Sequence, residues 1–186
     1  MLPLNLQGII LLWGDRLERL NIILQSAIYK NIVAEITEYE KDREFCRHTM
    51  QHFVDTARIC YILILEDTMK AAHSDGKRSI FTKEVIYAAG MLHDIGRLEQ
   101  YQTGADHAVK GAEIAGDMLS KAHFSPGEIE LITTAIREHR RLPENPTYLG
   151  ERLYKADKLS RPCYGCSVID ECRKKDLAKE FQDLKY

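Results

Sequence analysis

Ala88-Ala89-Gly90-Met91-Leu92-His93-Asp94-Ile95-Gly96-Arg97 is an apolar run closed by an imidazole and a carboxylate side by side. Such a run belongs in a core, where an unpaired carboxylate is costly unless a metal or a partner compensates it. Thr82, just ahead, can cap a helix running through Met91, with Glu84 in the first turn complementing the helix dipole. His93 and Asp94 then stand at the C-terminal end of that helix, and Gly96 reads as its stop.

Outward from this stretch, apolar residues keep returning at helical spacing. Leu17, Leu20, Ile23, Leu24, Ile28, Ile32 and Ile36 form a stripe that predicts one or two helices over 17–40. A further helix is expected over about 44–69, carrying Phe45, His48, His52, Ala57, Ile59 and Leu63. Residues 73–78 are rich in loop formers and read as an exposed loop. Asp106 caps a helix over 107–122. Ser125-Pro126-Gly127-Glu128 combines a capping box with proline at the first helical position and starts a helix ending near His139. A proline-marked loop over 142–146 precedes helices over about 149–159 and 166–184. Only 5 prolines occur and no strand or hairpin pattern is found, so the expected fold is all-α, a compact multi-helix array.

The chain has 186 residues, most simply one domain, long enough to bury a core. A net charge of −2 gives no general attraction to nucleic acid or to an anionic membrane, so phosphate recognition needs a local cluster of metal and basic side chains. The apolar run at 8–13 is short, has no basic residue before it and is followed by Asp15-Arg16, which fits neither a signal peptide nor a membrane span. A packing segment, or an extension upstream of the true start, is the expectation for it, and the chain reads as cytoplasmic. Five cysteines in such a chain read as thiols or ligands rather than as a disulfide framework.

His52 upstream and Asp157 downstream lie on other apolar-patterned stretches and complete a set with His93 and Asp94. Two imidazoles and two carboxylates suit a catalytic divalent ion with open positions better than a closed structural site.

The ordered pattern His52…His93-Asp94…Asp157 resembles the HD superfamily of metal-dependent phosphohydrolases, in its HDIG-type form. His52-Phe53-Val54-Asp55-Thr56-Ala57-Arg58 is similar to that family's first-histidine helix. Leu92-His93-Asp94-Ile95-Gly96-Arg97 is similar to its eponymous motif, and Tyr154-Lys155-Ala156-Asp157-Lys158 to its last-aspartate helix. The resemblance divides the chain into an N-terminal helical segment (1–43), a core of the HD type (44–161) and a C-terminal helical tail with a cysteine cluster (162–186), packed on the same domain. It implies that His52, His93, Asp94 and Asp157 ligate a divalent ion, with Asp94 also a catalytic residue that orients a water. Asp106-His107-Ala108-Val109-Lys110-Gly111-Ala112 and Glu138-His139-Arg140 resemble segments of binuclear members, which adds His107 and His139 as ligands of a second ion sharing Asp94. The layout is closer to the HD-GYP phosphodiesterases and the HD-type diadenosine tetraphosphate hydrolases than to mononuclear deoxynucleotidases, although no Gly-Tyr-Pro signature follows the core. Whether one ion or two bind, and whether they are Mn, Fe, Co, Ni, Mg or Zn, stays open.

Arg97 stands where many HDIG-type members carry lysine, and a guanidinium there could take a phosphate bidentately; a surface ion pair is the alternative. His48, four residues before His52 and so on the same helix face, and Lys158, beside Asp157, are further substrate-contact candidates. Arg137, Arg140 and Arg141 could widen a positive rim, or simply complement a helix dipole. Cys163-Tyr164-Gly165-Cys166 with Cys172 forms a possible second metal cluster short of one ligand, which Cys46 or a histidine could supply; packed reduced thiols are the alternative. Cys60 reads as core. The functional expectation is a metal-dependent phosphohydrolase cleaving a phosphoanhydride, phosphodiester or phosphomonoester bond of a small phosphorylated substrate, a nucleotide by preference. The competing reading is a non-catalytic nucleotide-sensing or scaffold domain with a structural metal. Nucleic acid as a partner is disfavoured by the charge and by the lack of a basic stripe with interleaved aromatics.

Overall fold

A computed structural model of the chain describes residues 17–72 and 81–172, together with Asp176 and Tyr186. The run at 8–13 and the expected loop at 73–78 lie outside the described residues. In chain order the helices are α1 (Glu18–Gln25), α2 (Ala27–Tyr39), α3 (Met50–Ala72), α4 (Lys83–Leu92), α5 (Arg97–Thr103), α6 (His107–Lys121), α7 (Pro126–Glu138) and α8 (Tyr148–Leu159), followed by a 3-10 turn at Cys163–Gly165. No strand occurs among the described residues, and the fold is all-α. None of these helices is long and apolar enough to cross a membrane.

Local chemistry explains most of the helix starts. The side chains of Thr82, Asp106 and Thr147 accept backbone N–H groups of the first turns of α4, α6 and α8. Ser125 and Glu128 form the reciprocal capping box of α7. Ser26 is extended at φ −64°, ψ 144° and its hydroxyl accepts the N–H of Tyr29, so the stripe over 17–40 is two helices rather than one.

Helix α4 is the strut of the molecule. Val85, Ile86 and all of Ala88 to Leu92 are buried, and the helix packs against α1, α3, α7 and α8. Fully buried Phe53, Ile86, Leu92, Ile136 and Leu153 belong to the same core, each contributing about 1.5–3 kcal/mol of burial. Leu20, Ile23, Tyr29 and Val33 of α1 and α2 join it, and the Tyr29 hydroxyl donates to the carbonyl of Met91 at 3.0 Å. Arg19 ties α1 to the starts of α4 and α7: its guanidinium donates to Glu84 at 2.8 Å and to both oxygens of Glu128 at 2.7 and 2.9 Å. Glu84 thus does more than complement its own helix dipole, since it also accepts the N–H groups of Arg19 and Leu20 at the start of α1.

Three expectations need correction. Residues 44–49 are not helical, and α3 begins at Met50, because the chain turns where the backbone N–H of His48 is held by Glu40 at 2.5 Å. Gly96 is no left-handed stop: its φ is −71°, and it opens α5, a helix the spacing did not predict. The stop is Gly104, at φ 80°. What Gly96 supplies is room, since a Cβ there would lie 2.2 Å from the carbonyl oxygen of His107 and 2.4 Å from the nitrogen of Gly111. Finally, the tail does not continue as a helix from Cys166. Pro162 and Gly165 flank a short turn, Cys166 is extended at ψ 119°, and residues 166–172 carry turns and bends. Apart from Asp176, the rest of the helix expected over 166–184 lies outside the described residues.

Gly90 sets the distance between α3 and α4, because a Cβ there would fall 2.4 Å from the Cα of Ala57. Gly90→Ala should therefore destabilise the protein by at least the overpacking cost of about 1–3 kcal/mol. Gly127→Ala, with nothing within 4 Å of its added methyl, should leave stability nearly unchanged. Paired thermal melts check this, and equal melting temperatures for the two variants would refute the packing argument.

Candidate metal centre

Six residues expected to work together do meet. His52 comes from α3, His93 and Asp94 from the end of α4, His107 from the first position of α6, His139 from the end of α7 and Asp157 from α8. All six are buried, and His93 and Asp94 are completely so. One ligand atom each from His52, His93, Asp94 and Asp157 lie within 4.8 Å of one another, and the same holds for Asp94, His107 and His139.

Asp94 divides its two oxygens between these groups. Oδ2 lies 3.1 Å from Nε2 of His93 and 3.6 Å from Nε2 of His52, while Asp157 Oδ1 is 3.4 Å from the same His52 nitrogen. Oδ1 lies 3.3 Å from Nε2 of both His107 and His139, and accepts the Nε–H of Arg97 at 3.0 Å. A helix end explains this reach. Past the last turn of α4 the chain is free to project two successive side chains, and Gly96 lets the start of α6 close over them.

Hydrogen bonds on the far ring nitrogens assign the tautomers. Nδ1–H of His93 donates to the carbonyl of Gly90 at 2.7 Å, and that of His139 to the carbonyl of Ile136 at 2.6 Å. Nδ1 of His52 faces Ser160 Oγ at 3.1 Å, whose own proton goes to the carbonyl of Asp157. Each of the three rings therefore turns a lone pair on Nε2 inward, the arrangement that ligating histidines use. Nε2 of His52 and Nε2 of His93 are 3.2 Å apart with no proton left for the gap. Asp94 Oδ2 and both nitrogens of His107 are buried without any hydrogen-bond partner. Facing lone pairs and orphaned buried acceptors cost free energy unless a cation lies among them, so this donor set fits divalent metal.

The electrostatics are consistent with that fit. Burial works to raise the pKa of Asp94, but the basic groups around it, His93, Arg97 and His48 with His139 facing its Oδ1, outweigh it and hold the carboxyl well below its ordinary range. Burial likewise acts to raise Asp157, and Arg161 and Lys158 reverse it. Both ligand carboxylates are thus ionised at neutral pH. Burial lowers His107 to about 3 against the pull of Asp94, with Arg97, His139 and Arg140 adding to the fall, so no proton competes for it there.

Of the other candidates, His48 is buried, donates from Nδ1 to Glu40 at 2.6 Å and points Nε2 at Asp94 Oδ2 from 3.5 Å. Arg97 pairs with Asp94 rather than with a glutamate, and Lys158 is buried and bonded to Asp157. Arg140 lines the pocket and pairs with Asp106 at 2.7 Å, whereas Arg137 and Arg141 are exposed away from it. Three residues escaped the sequence reading. Arg161 bonds Asp157 Oδ1 at 3.1 Å and was open to discovery as an i, i+4 partner. Glu40 and Arg43 reach the site only through the non-helical turn before α3, where no periodicity signals a contact. Above the ligands opens a cavity of about 300 Å³, walled by Arg43, Arg97, Arg140, Lys158, Arg161 and Phe45 among others.

A folded-state pKa below the unfolded value of about 6.5 means that the unfolded chain binds the proton first. His107 and His48 are both lowered, by burial before any other cause. The stability they permit is complete above about pH 6.5 and is lost as pH falls below it, before the carboxylates titrate. Metal-free protein should therefore show a melting temperature that drops between about pH 7 and 4.5, and His107→Gln should flatten the drop. A flat wild-type profile over that window would refute the assignment.

Comparison with known proteins places this geometry. An uncharacterized protein of Clostridium beijerinckii is 37% identical over 167 residues, which are 89% of this chain and 98% of that one. Ribonuclease Y of Oleidesulfovibrio alaskensis is 28% identical over 133 residues, 72% of this chain but only 22% of that enzyme. The crystal structure of a predicted HD superfamily hydrolase from an uncultured Thermotogales bacterium shares the fold, with a TM-score of 0.55 at 23% identity, covering 95% of this chain and 90% of that one. The model of the HD domain matches residues 49–162, a span that begins beside His52 and ends beyond Asp157. With that match over the very helices that carry the six buried candidate ligands, the chain belongs to the HD domain family.

Proposed function

We propose that this protein is a metal-dependent phosphohydrolase acting on a small phosphorylated compound, a nucleotide by preference. The observation that carries the reading is Asp94, which sends one oxygen to each of two compact ligand groups beneath a pocket rimmed by five cationic side chains. Divalent ions held by His52, His93, Asp94 and Asp157, and by Asp94, His107 and His139, supply Lewis acidity toward a phosphoryl oxygen and a nucleophilic water near neutral pH.

The chain's own residues do the rest. The net charge is −2, so the gathering of Arg43, Arg97, Arg140, Lys158 and Arg161 at one cavity is a local field that draws in and orients phosphate. Arg97 holds Asp94 through Nε and Gln100 through Nη1 while lining the cavity, where its charge can meet the charge that grows on phosphoryl oxygens during cleavage. Glu40 fixes the His48 ring, whose Nε2 sits between Asp94 and the cavity. Kept neutral by burial, with its Nδ1–H given to Glu40, the ring offers Nε2 as a proton acceptor facing the site. Phe45 gives the wall an apolar face on which a base can lie. A cavity of about 300 Å³ is at the small end for ligand pockets, which suits a mononucleotide-sized substrate better than a long polymer. Ribonuclease Y is by its name an RNA-cleaving enzyme, and likeness to it supports phosphodiester chemistry in this chain.

A screen of nucleotides and phosphodiesters against Mn²⁺, Fe²⁺, Co²⁺, Ni²⁺ and Mg²⁺ tests the reading. Metal-dependent release of phosphate or of a nucleotide product is expected, and Asp94→Ala should abolish it while the far-UV circular dichroism stays that of a folded protein. Nucleotide binding without turnover under every metal would instead favour a sensing role.

Arg97→Ala should lower kcat/KM by roughly 10²-fold, about 2.7 kcal/mol, because it removes charge that matters more in the transition state than in the ground state. Arg97→Lys should recover part of the loss, since lysine keeps the charge without the fork. Equal kcat/KM for wild type and Arg97→Ala would rule out its role.

A further inference from the structure

Four of the five cysteines, none of them among the six residues already described, come from the turn before α3 and the segment after α8 and line adjoining cavities. Cys46 lies in the turn before α3. Cys163 and Cys166 flank the 3-10 turn after α8, with the N–H of Cys166 bonded to the carbonyl of Cys163 at 3.3 Å. Cys46, Cys163 and Cys166 line one cavity, and Cys46 and Cys172 share the wall of the large pocket. Burial pushes the Cys163 thiol up, Cys46, Cys166 and Cys172 push it further and Arg161 opposes them, so Cys163 has the other three as near neighbours. The fifth, Cys60, is fully buried in the core.

Free cysteine is among the most buried of residues, yet these four are all half-exposed and all free. Half-exposed thiols converging from 46 and from 163–172 do not pack a core. They supply the soft donors, and in Cys163-x-x-Cys166 the turn, of a thiolate metal site. We propose that Cys46, Cys163, Cys166 and Cys172 form a four-thiolate site for a soft metal centre, a zinc ion or an iron–sulfur cluster, which staples the segment after α8 to the turn before α3. Each thiol releases its proton to solvent as the metal binds. The sulfurs are spread, no three of them lying within 4.8 Å of one another. A 2.3 Å zinc–sulfur bond gives edges of roughly 3.8 Å, so a cluster of several irons needs less closure of the ring than a single zinc.

The staple has a consequence for the pocket. Cys46 and Cys172 belong to its wall, and so does Arg161, one residue before Pro162, which bonds Asp157. Fixing the thiols fixes Arg161 over a ligand carboxylate.

The site does not depend on the proposed hydrolysis, and metal analysis separates the two. Full-length protein purified without oxygen is assayed for zinc, iron and inorganic sulfide, and any metal-free fraction is reconstituted with Zn²⁺ or with a mixture of Fe²⁺, Fe³⁺ and sulfide that supplies both iron oxidation states of a cluster. One zinc per chain, or iron with matching sulfide and visible charge-transfer absorption, is expected. It should persist in Asp94→Ala and disappear from the Cys163→Ser/Cys166→Ser double variant. Should that variant fail to fold, Co²⁺ titration of the wild type gives a direct signal, since thiolate-to-cobalt absorption of the intensity of four thiolates, surviving Asp94→Ala, is expected from this site, and its absence overturns it. The proposal is overturned if wild type and double variant hold the same metal. It is equally overturned if reconstituted wild type lacks thiolate–metal absorption, or if its four exposed thiols react freely or are found paired as disulfides.

Discussion

A carboxylate with no exposure to water governs this structure. Asp94 is held ionised in the centre of an all-α core by the basic groups around it, His93, Arg97, His48 and His139. Those partners come from four different helices or their ends, so satisfying one side chain fixes the mutual placement of α3, α4, α5 and α7. The remaining strain is local and specific: Oδ2 of Asp94 and the His107 ring have no hydrogen-bond partner, and two imidazole lone pairs face each other at 3.2 Å. A core seldom tolerates such a set without something to neutralise it. The same features that cost stability define the chemistry, because donors that cannot satisfy one another are free to bind a cation.

Small residues make that assembly geometrically feasible. Gly90 admits Ala57 of α3 and Gly96 admits the first turn of α6, so the ends of α3, α4 and α6 approach more closely than side chains would permit. Between the two glycines stand His93 and Asp94. The apolar length of α4 anchors this short segment on every side, and the polar end inherits its rigidity. Preorganised ligands of this kind lose little entropy on binding.

Charge is distributed with equal economy. Acidic and basic residues nearly cancel over the whole chain, while five cations collect at the pocket mouth. Two of them, Lys158 and Arg161, are also what keeps Asp157 ionised against its burial. They therefore act on the ligand and on the pocket together. The cysteine-bearing segment begins just beyond Arg161, which links the placement of these charges to the fold of the chain after α8.

The sequence by itself determined the helical class, most of the helix caps and which six buried side chains gather in two groups around Asp94. It could do so because caps and amphipathic stripes are local, and because His52, His93-Asp94, His107, His139 and Asp157 each sit in a recognisable local context. Contacts with no fixed offset were decided by the tertiary structure. Glu40 and Arg43 arrive through an irregular turn, Gly96 serves close approach rather than a left-handed stop, and α5 hides in a stretch without a buried face. The partner of Arg97 was likewise open until Asp94 Oδ1 was seen 3.0 Å away. Cys46 could be joined to Cys163, Cys166 and Cys172 only by a fold that brings the two segments together, since more than a hundred residues of chain separate them. Spacing along a helix is written in the sequence, but proximity across a turn or between chain ends is written only in the packing.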